Sequence, residues 1–198
     1  MTKKAIFLIS ALMFAFQFMH AQAGDEENWN QKRMSVQKDG MLILGSWALA
    51  NFAFSGYQMT QTSERNYYFH QMNVLWNTVN AGIAVSGYLS AINGPTGLAP
   101  TETLMELNKF SKILLLNTGL DVAYMGIGLY LRERSRNIEK QSSRLMGYGN
   151  SLLMQGGFLF LFDLVLVITN ENLTQQFLNQ ENIKFAMTPG NFSLMLSF

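Results

Sequence analysis

Four stretches of about twenty or more residues carry almost no charge, and they limit what this chain can fold into. Gly40–Met59 and His70–Ile92 contain no Asp, Glu, Lys or Arg. Ile113–Leu131 and Leu145–Thr169 contain one carboxylate each, Asp121 and Asp163. About 20 apolar residues in a helix cross the hydrocarbon core of a bilayer. Charged residues make up 14% of the whole chain, against about 25% in an average soluble domain. The pattern predicts an all-α fold, a four-transmembrane-helix bundle with spans at about 40–59, 70–92, 113–131 and 145–169. The competing reading is a set of buried helices in a water-soluble protein. It fits poorly with Ser151–Ile168, where only Gln155 and Asp163 could face water.

The N-terminus reads as a targeting signal. Lys3 and Lys4 precede an apolar run from Ala5 to Met19, and Ala21-Gln22-Ala23 has the small-x-small pattern of a cleavage site. Residues 1–23 are expected to be a signal peptide cut after Ala23, with an uncleaved anchor as the alternative. Either way Gly24 starts outside the cytoplasm. Residues 24–39 then form an extracytoplasmic segment and 170–198 an extracytoplasmic tail. The Arg132–Arg144 loop, with Arg132, Arg134, Arg136, Lys140 and Arg144, is the densest basic cluster. Lys/Arg-rich loops stay in the cytoplasm, and three crossings from an external Gly24 also put this loop inside. The expected location is the cytoplasmic (inner) membrane of a bacterium. The cluster is read first as a topology determinant and second as a contact for anionic lipid. Tyr57, Tyr67, Tyr68, Tyr88, Tyr130 and Tyr148 lie near span ends, as in an interfacial aromatic belt.

Helical periodicity then sorts the polar residues. Positions i, i+3, i+4 and i+7 share a face. His70, Asn73, Asn77, Asn80, Ala84, Gly87 and Ala91 form one stripe on the second span, flanked by Trp76. Asn117, Asp121, Tyr124 and Gly128 form a stripe on the third. Gly149, Gly156 and Asp163 do so on the fourth, and Ala48, Asn51 and Ser55 on the first. Exposing Asp at the bilayer centre costs on the order of 2.5–3.5 kcal/mol, so these faces should turn inward. The candidate polar core or ligand pocket is Asn51, His70, Asn73, Trp76, Asn77, Asn80, Asn117, Asp121, Tyr124, Gln155 and Asp163. It reads either as glue between helices or as a pocket for a ligand. Gly82, Gly87, Gly126, Gly128, Gly156 and Gly157 are expected to be helix-packing contacts.

Several chemistries are excluded or unsupported. The chain has no Cys, hence no disulfide, thiolate nucleophile or Cys-ligated metal. Loss of the signal leaves His70 alone, too few histidines for bis-His haem ligation within one chain. There is no G-x-S-x-G, H-E-x-x-H or P-loop spacing. No catalytic residue, metal site or cofactor is assigned. Net charge is +1, and removal of Lys3 and Lys4 takes away the basic excess, which argues against nucleic acid.

At the C-terminus, Pro189-Gly190 separates two short apolar runs, and Phe192, Leu194, Leu196 and Phe198 alternate with Ser193, Met195 and Ser197. This predicts a β-hairpin, read as a docking element. The segments FHQMNVLWNTVN (Phe69–Asn80), NTGLDVAYMGIGLYLRE (Asn117–Glu133) and GYGNSLLMQGGFLFLFD (Gly147–Asp163) are similar to those of an uncharacterised family of small bacterial multi-pass membrane proteins. The resemblance covers about Met41–Thr169 and implies the topology; it carries no activity.

Two functions fit these residues. The first is a non-enzymatic envelope structural or interaction protein, with the lipid bilayer and an envelope protein or a second copy of itself as partners. The alternative binds, transports or modifies a small lipid-like ligand in an intramembrane pocket.

Overall fold

A computed structural model describes residues 28–180 and two strands at 183–188 and 191–196. The signal-peptide expectation for residues 1–23 lies outside the described residues. Four long helices make up the body: α1 (Trp29–Gln61), α2 (Glu64–Ile92), α3 (Pro100–Arg134) and α4 (Ser142–Gln180). A single 3-10 turn, Glu139–Gln141, precedes α4.

Each helix is longer than the apolar run that predicts it. Helix α1 starts at Trp29, eleven residues ahead of Gly40, because Asn28 caps it. The Asn28 Oδ1 accepts from the N–H groups of Asn30 (3.1 Å) and Gln31 (3.2 Å). An Asx cap satisfies donors that the first turn would otherwise leave free. Helix α3 starts at Pro100, ahead of the apolar run at Ile113. Proline suits the first helical position, and Glu102 Oε2 accepts from the Ala99 N–H at 3.1 Å. Helix α4 continues eleven residues past Thr169, so the amide-rich start of the expected tail is helical. At 1.5 Å per residue its 39 residues extend about 58 Å.

The connections follow the turn residues. Gly94, Pro95, Gly97 and Pro100 occupy the α2–α3 loop and its exit. The α1–α2 reversal has no glycine. It uses only Thr62 and Ser63, and Glu64 takes up the turn at φ 51°.

Helix α4 is the axis of the packing. Helices α3 and α4 form one antiparallel hairpin and α1 and α2 another, and α2 also packs along α4. Helices α2 and α3 have no extended interface with each other. Small residues set the closest approaches. A methyl group on Gly149 would stand 2.6 Å from the Gly128 carbonyl oxygen, and one on Gly147 would stand 2.5 Å from that of Arg65. Gly156 meets Met125 and the Asp121 carbonyl, and Gly87 meets Met41. Gly82, Gly126 and Gly157 face open space, which corrects their expected packing role: they lie off the buried stripes of their helices.

The core alternates along α4. Met41, Leu44, Ala84, Leu114, Phe158, Leu159, Phe162 and Leu166 form the larger apolar cluster. Trp29, Leu104, Leu107, Leu173 and Phe177 form a second near the C-terminal end of α4. Strands Ile183–Thr188 (β1) and Asn191–Leu196 (β2) pair antiparallel, Ile183 opposite Leu196. The alternation of side chains expected there falls outside the described side chains.

Among the described residues two helices, α3 and the segment Glu139–Gln180 that contains α4, are long and apolar enough to cross a membrane.

Candidate functional site: two buried polar layers

The first polar layer gathers side chains from α1, α2 and α4. Helical spacing places His70, Asn73, Asn77 and Asn80 on one face of α2, and together with Ala84 and Ala91 they are its buried residues. Asn73 is at the centre, 1% exposed. Its Oδ1 accepts from Ser151 Oγ and from Gln155 Nε2 (3.1 Å), and its Nδ2 donates to Ser55 Oγ (3.3 Å). Gln155 Nε2 also donates to Asn51 Oδ1 (3.2 Å), and Gln155 Oε1 accepts from Trp47 Nε1 (2.9 Å). His70 Nδ1 lies 3.1 Å from Ser55 Oγ. Asn80 Nδ2 reaches Asn77 Oδ1 at 3.3 Å, and Asn77 Nδ2 turns back to the Asn73 carbonyl at 2.8 Å. Asn51 likewise donates to the Trp47 carbonyl. The Trp47 ring lies flat on Phe158, centroids 3.8 Å apart and 5° from parallel, and so joins this layer to the larger apolar cluster.

The third-span residues do not join that network. Asp121, buried on α3, lies opposite Asp163, buried on α4. No donor among the described residues reaches Asp121 Oδ2. Asn117 and Tyr124 are half-buried. Tyr124 meets the edge of Trp76 across the gap between α2 and α3, centroids 4.6 Å apart, and Trp76 Nε1 is buried without an acceptor among the described residues. The eleven candidate residues therefore separate into an amide network (Asn51, His70, Asn73, Asn77, Asn80, Gln155), a carboxyl pair (Asp121, Asp163) and an aromatic bridge (Trp76, Tyr124), with Asn117 beside the pair on α3.

A second polar layer, absent from the sequence reading, lies toward the other end of α4. Asn170, fully buried, donates from Nδ2 to the Leu107 carbonyl (2.9 Å) and to Ser111 Oγ (2.8 Å). Ser111 Oγ in turn donates to Glu171 Oε1 at 2.6 Å. Thr103 Oγ1 donates to Asn30 Oδ1 at 3.1 Å. Arg33 is 6% exposed, and its only carboxylate contact among the described residues is a long one, 3.9 Å to Glu106. Burial lowers its pKa, with Glu106 opposing that shift. Arg33 Nε and Asn170 Oδ1 are buried without partners. Thr103, Leu107 and Ser111 sit four residues apart on α3, a spacing that could have revealed this face. Its partners fall in stretches that read as water-facing.

These features define a class: a helical protein whose buried side alternates apolar clusters with layers of amide, hydroxyl and carboxyl groups and whose outer side carries many exposed apolar side chains. The chain belongs to the family of unknown function DUF6992, whose model matches residues 43–164. The match contains the whole first polar layer and the carboxyl pair; it excludes Asn30, Arg33, Asn170 and Glu171 of the second. No curated protein and no solved structure matches the chain.

Proposed function

We propose that this protein is a four-span component of a bacterial cytoplasmic membrane, non-enzymatic, with its amide network fixing how the helices pack. One observation carries the reading, the inversion of polarity across the helices. Asn73, Asn77, Gln155, Ser55 and Ser151 are buried, while Leu49, Phe54, Val79, Val85, Leu115, Leu116, Leu129 and Ile168 are more than half exposed. Water would penalise such an apolar exterior; lipid would not. The amides would lose their hydrogen bonds in lipid, so pairing them inside favours one arrangement of helices. The Arg132–Arg144 loop then faces the cytoplasm, and the C-terminal segment is free to dock on an envelope protein or a second copy of the chain.

The absence of Cys makes the test direct. Gly97→Cys and Asn137→Cys place single thiols in the α2–α3 and α3–α4 connections. A membrane-impermeant maleimide should label the first in intact spheroplasts and the second only after lysis. Recovery of the protein in the soluble fraction, or labelling of both thiols in intact spheroplasts, would overturn the topology.

A second reading, a lipid-like ligand between α2 and α3, is favoured by Trp76 Nε1, a buried donor with no acceptor, beside Tyr124. It predicts a non-protein mass retained by the purified protein and lost in Trp76→Phe.

A further inference from the structure

The two short connections at the loop end of the bundle border an open surface cavity that neither polar layer uses. It has a volume of about 490 Å³ and is lined by Glu64, Tyr67, Tyr68, Lys140, Gln141, Ser143 and Arg144. That is within the size of small-ligand sites, about 300–1,000 Å³. A second hollow of about 350 Å³ shares Glu64 and Ser143 and adds Arg65. The walls are held close. Gly147 on α4 packs against the backbone of Arg65 and Phe69 and the Cβ of Tyr68 on α2, so the starts of the two helices meet closely. Arg144, exposed to solvent, rests on an aromatic ring. Its guanidinium lies over the Tyr148 ring, 5.3 Å from the centroid, and the Tyr148 hydroxyl donates to Gln71 Oε1 at 2.7 Å. Tyr67 and Tyr68 meet edge to face at 5.5 Å. Among the described residues neither Lys140 nor Arg144 has a carboxylate within salt-bridge distance, whereas Arg136 in the same loop is paired with Glu133 at 2.9 Å.

We infer that this cavity binds the phosphate of an anionic phospholipid headgroup, with Lys140 and Arg144 as its cationic contacts. The inference rests on the membrane reading above, which places the cavity at the cytoplasmic interface. There Tyr67 and Tyr68 lie at headgroup depth and basic residues meet an anionic leaflet. Arginine's planar fork suits a phosphate oxygen pair, and Lys140 adds a point charge. Glu64, the one acidic residue in the lining, opposes the phosphate and weakens its binding.

The test is native mass spectrometry of the full chain in mild detergent, titrated with phosphatidylglycerol, phosphatidylcholine or soluble glycerol 3-phosphate. One phosphatidylglycerol per chain should be retained in preference to phosphatidylcholine. The double substitution Lys140→Gln/Arg144→Gln should weaken retention about tenfold or more. The equal charge loss of Arg134→Gln/Arg136→Gln should weaken it less than threefold, and both should keep the wild-type unfolding midpoint. Glu64→Gln should strengthen retention about threefold, a result that does not depend on the stability of the cation variants. Equal loss in the two double variants would mean diffuse attraction and overturn the site. Glycerol 3-phosphate binding as tightly as the lipid would overturn the lipid assignment. Recovery of the protein in the soluble fraction, or labelling of both thiols in intact spheroplasts, would instead sink the membrane reading, so the two failures are told apart.

Discussion

The two polar layers along α4 solve the same problem with different chemistry. The first uses neutral groups. Its amides and hydroxyls meet three helices, and the central Asn73 uses its side chain and its carbonyl together. The second mixes neutral and charged groups and leaves Arg33 Nε and Asn170 Oδ1 unpaired. A neutral network loses little on leaving water once its members pair. A buried cation with one carboxylate 3.9 Å away keeps most of its desolvation cost. The first layer should therefore be the more stabilising of the two, and the family match covers it in full while excluding Arg33 and Asn170.

The contrast can be broken most sharply at its centre. Asn73→Leu removes one acceptor and one donor and leaves Ser151 and Gln155 to find new partners. Each buried group left unpaired costs about 1–3 kcal/mol, so the variant should lose about 2–4 kcal/mol of stability in detergent unfolding. A loss below about 0.5 kcal/mol would mean that the network is incidental to packing.

Close approach should come next. Gly149→Ala puts a methyl 2.6 Å from the Gly128 oxygen, and backbone cannot yield as a side chain does. Overpacking of this kind costs about 1–3 kcal/mol. Gly157→Ala, with nothing within 4 Å, should be neutral or slightly stabilising, because alanine is the better helix former. Equal melting of the two variants would refute the assignment of Gly149 to the α3–α4 contact.

In the second layer the effect should be smaller. Arg33→Met keeps most of the stem's packing and removes the poorly paired charge. Its change in stability is expected within about 1 kcal/mol of zero, against the clear loss for Asn73→Leu. A loss above about 3 kcal/mol would place the second layer on the same footing as the first.

The legibility of these regions follows from how each is built. The α2 stripe could be read because its asparagines recur at helical spacing inside an otherwise apolar run, where nothing else explains them. Ser55 was visible as part of the first-span stripe, but Ser151 was not, since a serine in a membrane helix can bond its own backbone and so announces no partner. Asp121 and Asp163 stood out as the lone charges of their spans; that they face each other depended on the α3–α4 register, which Gly128 and Gly149 set at contact distance. Asn30, Arg33 and Asn170 stayed hidden for the opposite reason. They lie in polar stretches, and polar residues beside polar residues look like a solvated surface until the helix continues and turns them inward.

The smallest effect concerns the α1–α2 reversal, where the first layer ends. Glu64 holds φ at 51°, a conformation that costs an L-residue with a side chain roughly 1 kcal/mol and costs glycine far less. Glu64→Gly should remove that strain, while the freer unfolded chain takes back part of the gain. The net expectation is a stabilisation of a few tenths to about 1 kcal/mol, read as a higher unfolding midpoint in detergent. Glu64→Ala separates the causes: it removes the carboxylate and keeps the strained backbone, so it should not stabilise. If alanine and glycine raised the midpoint equally, the gain would come from removing the charge, and the turn would be unstrained.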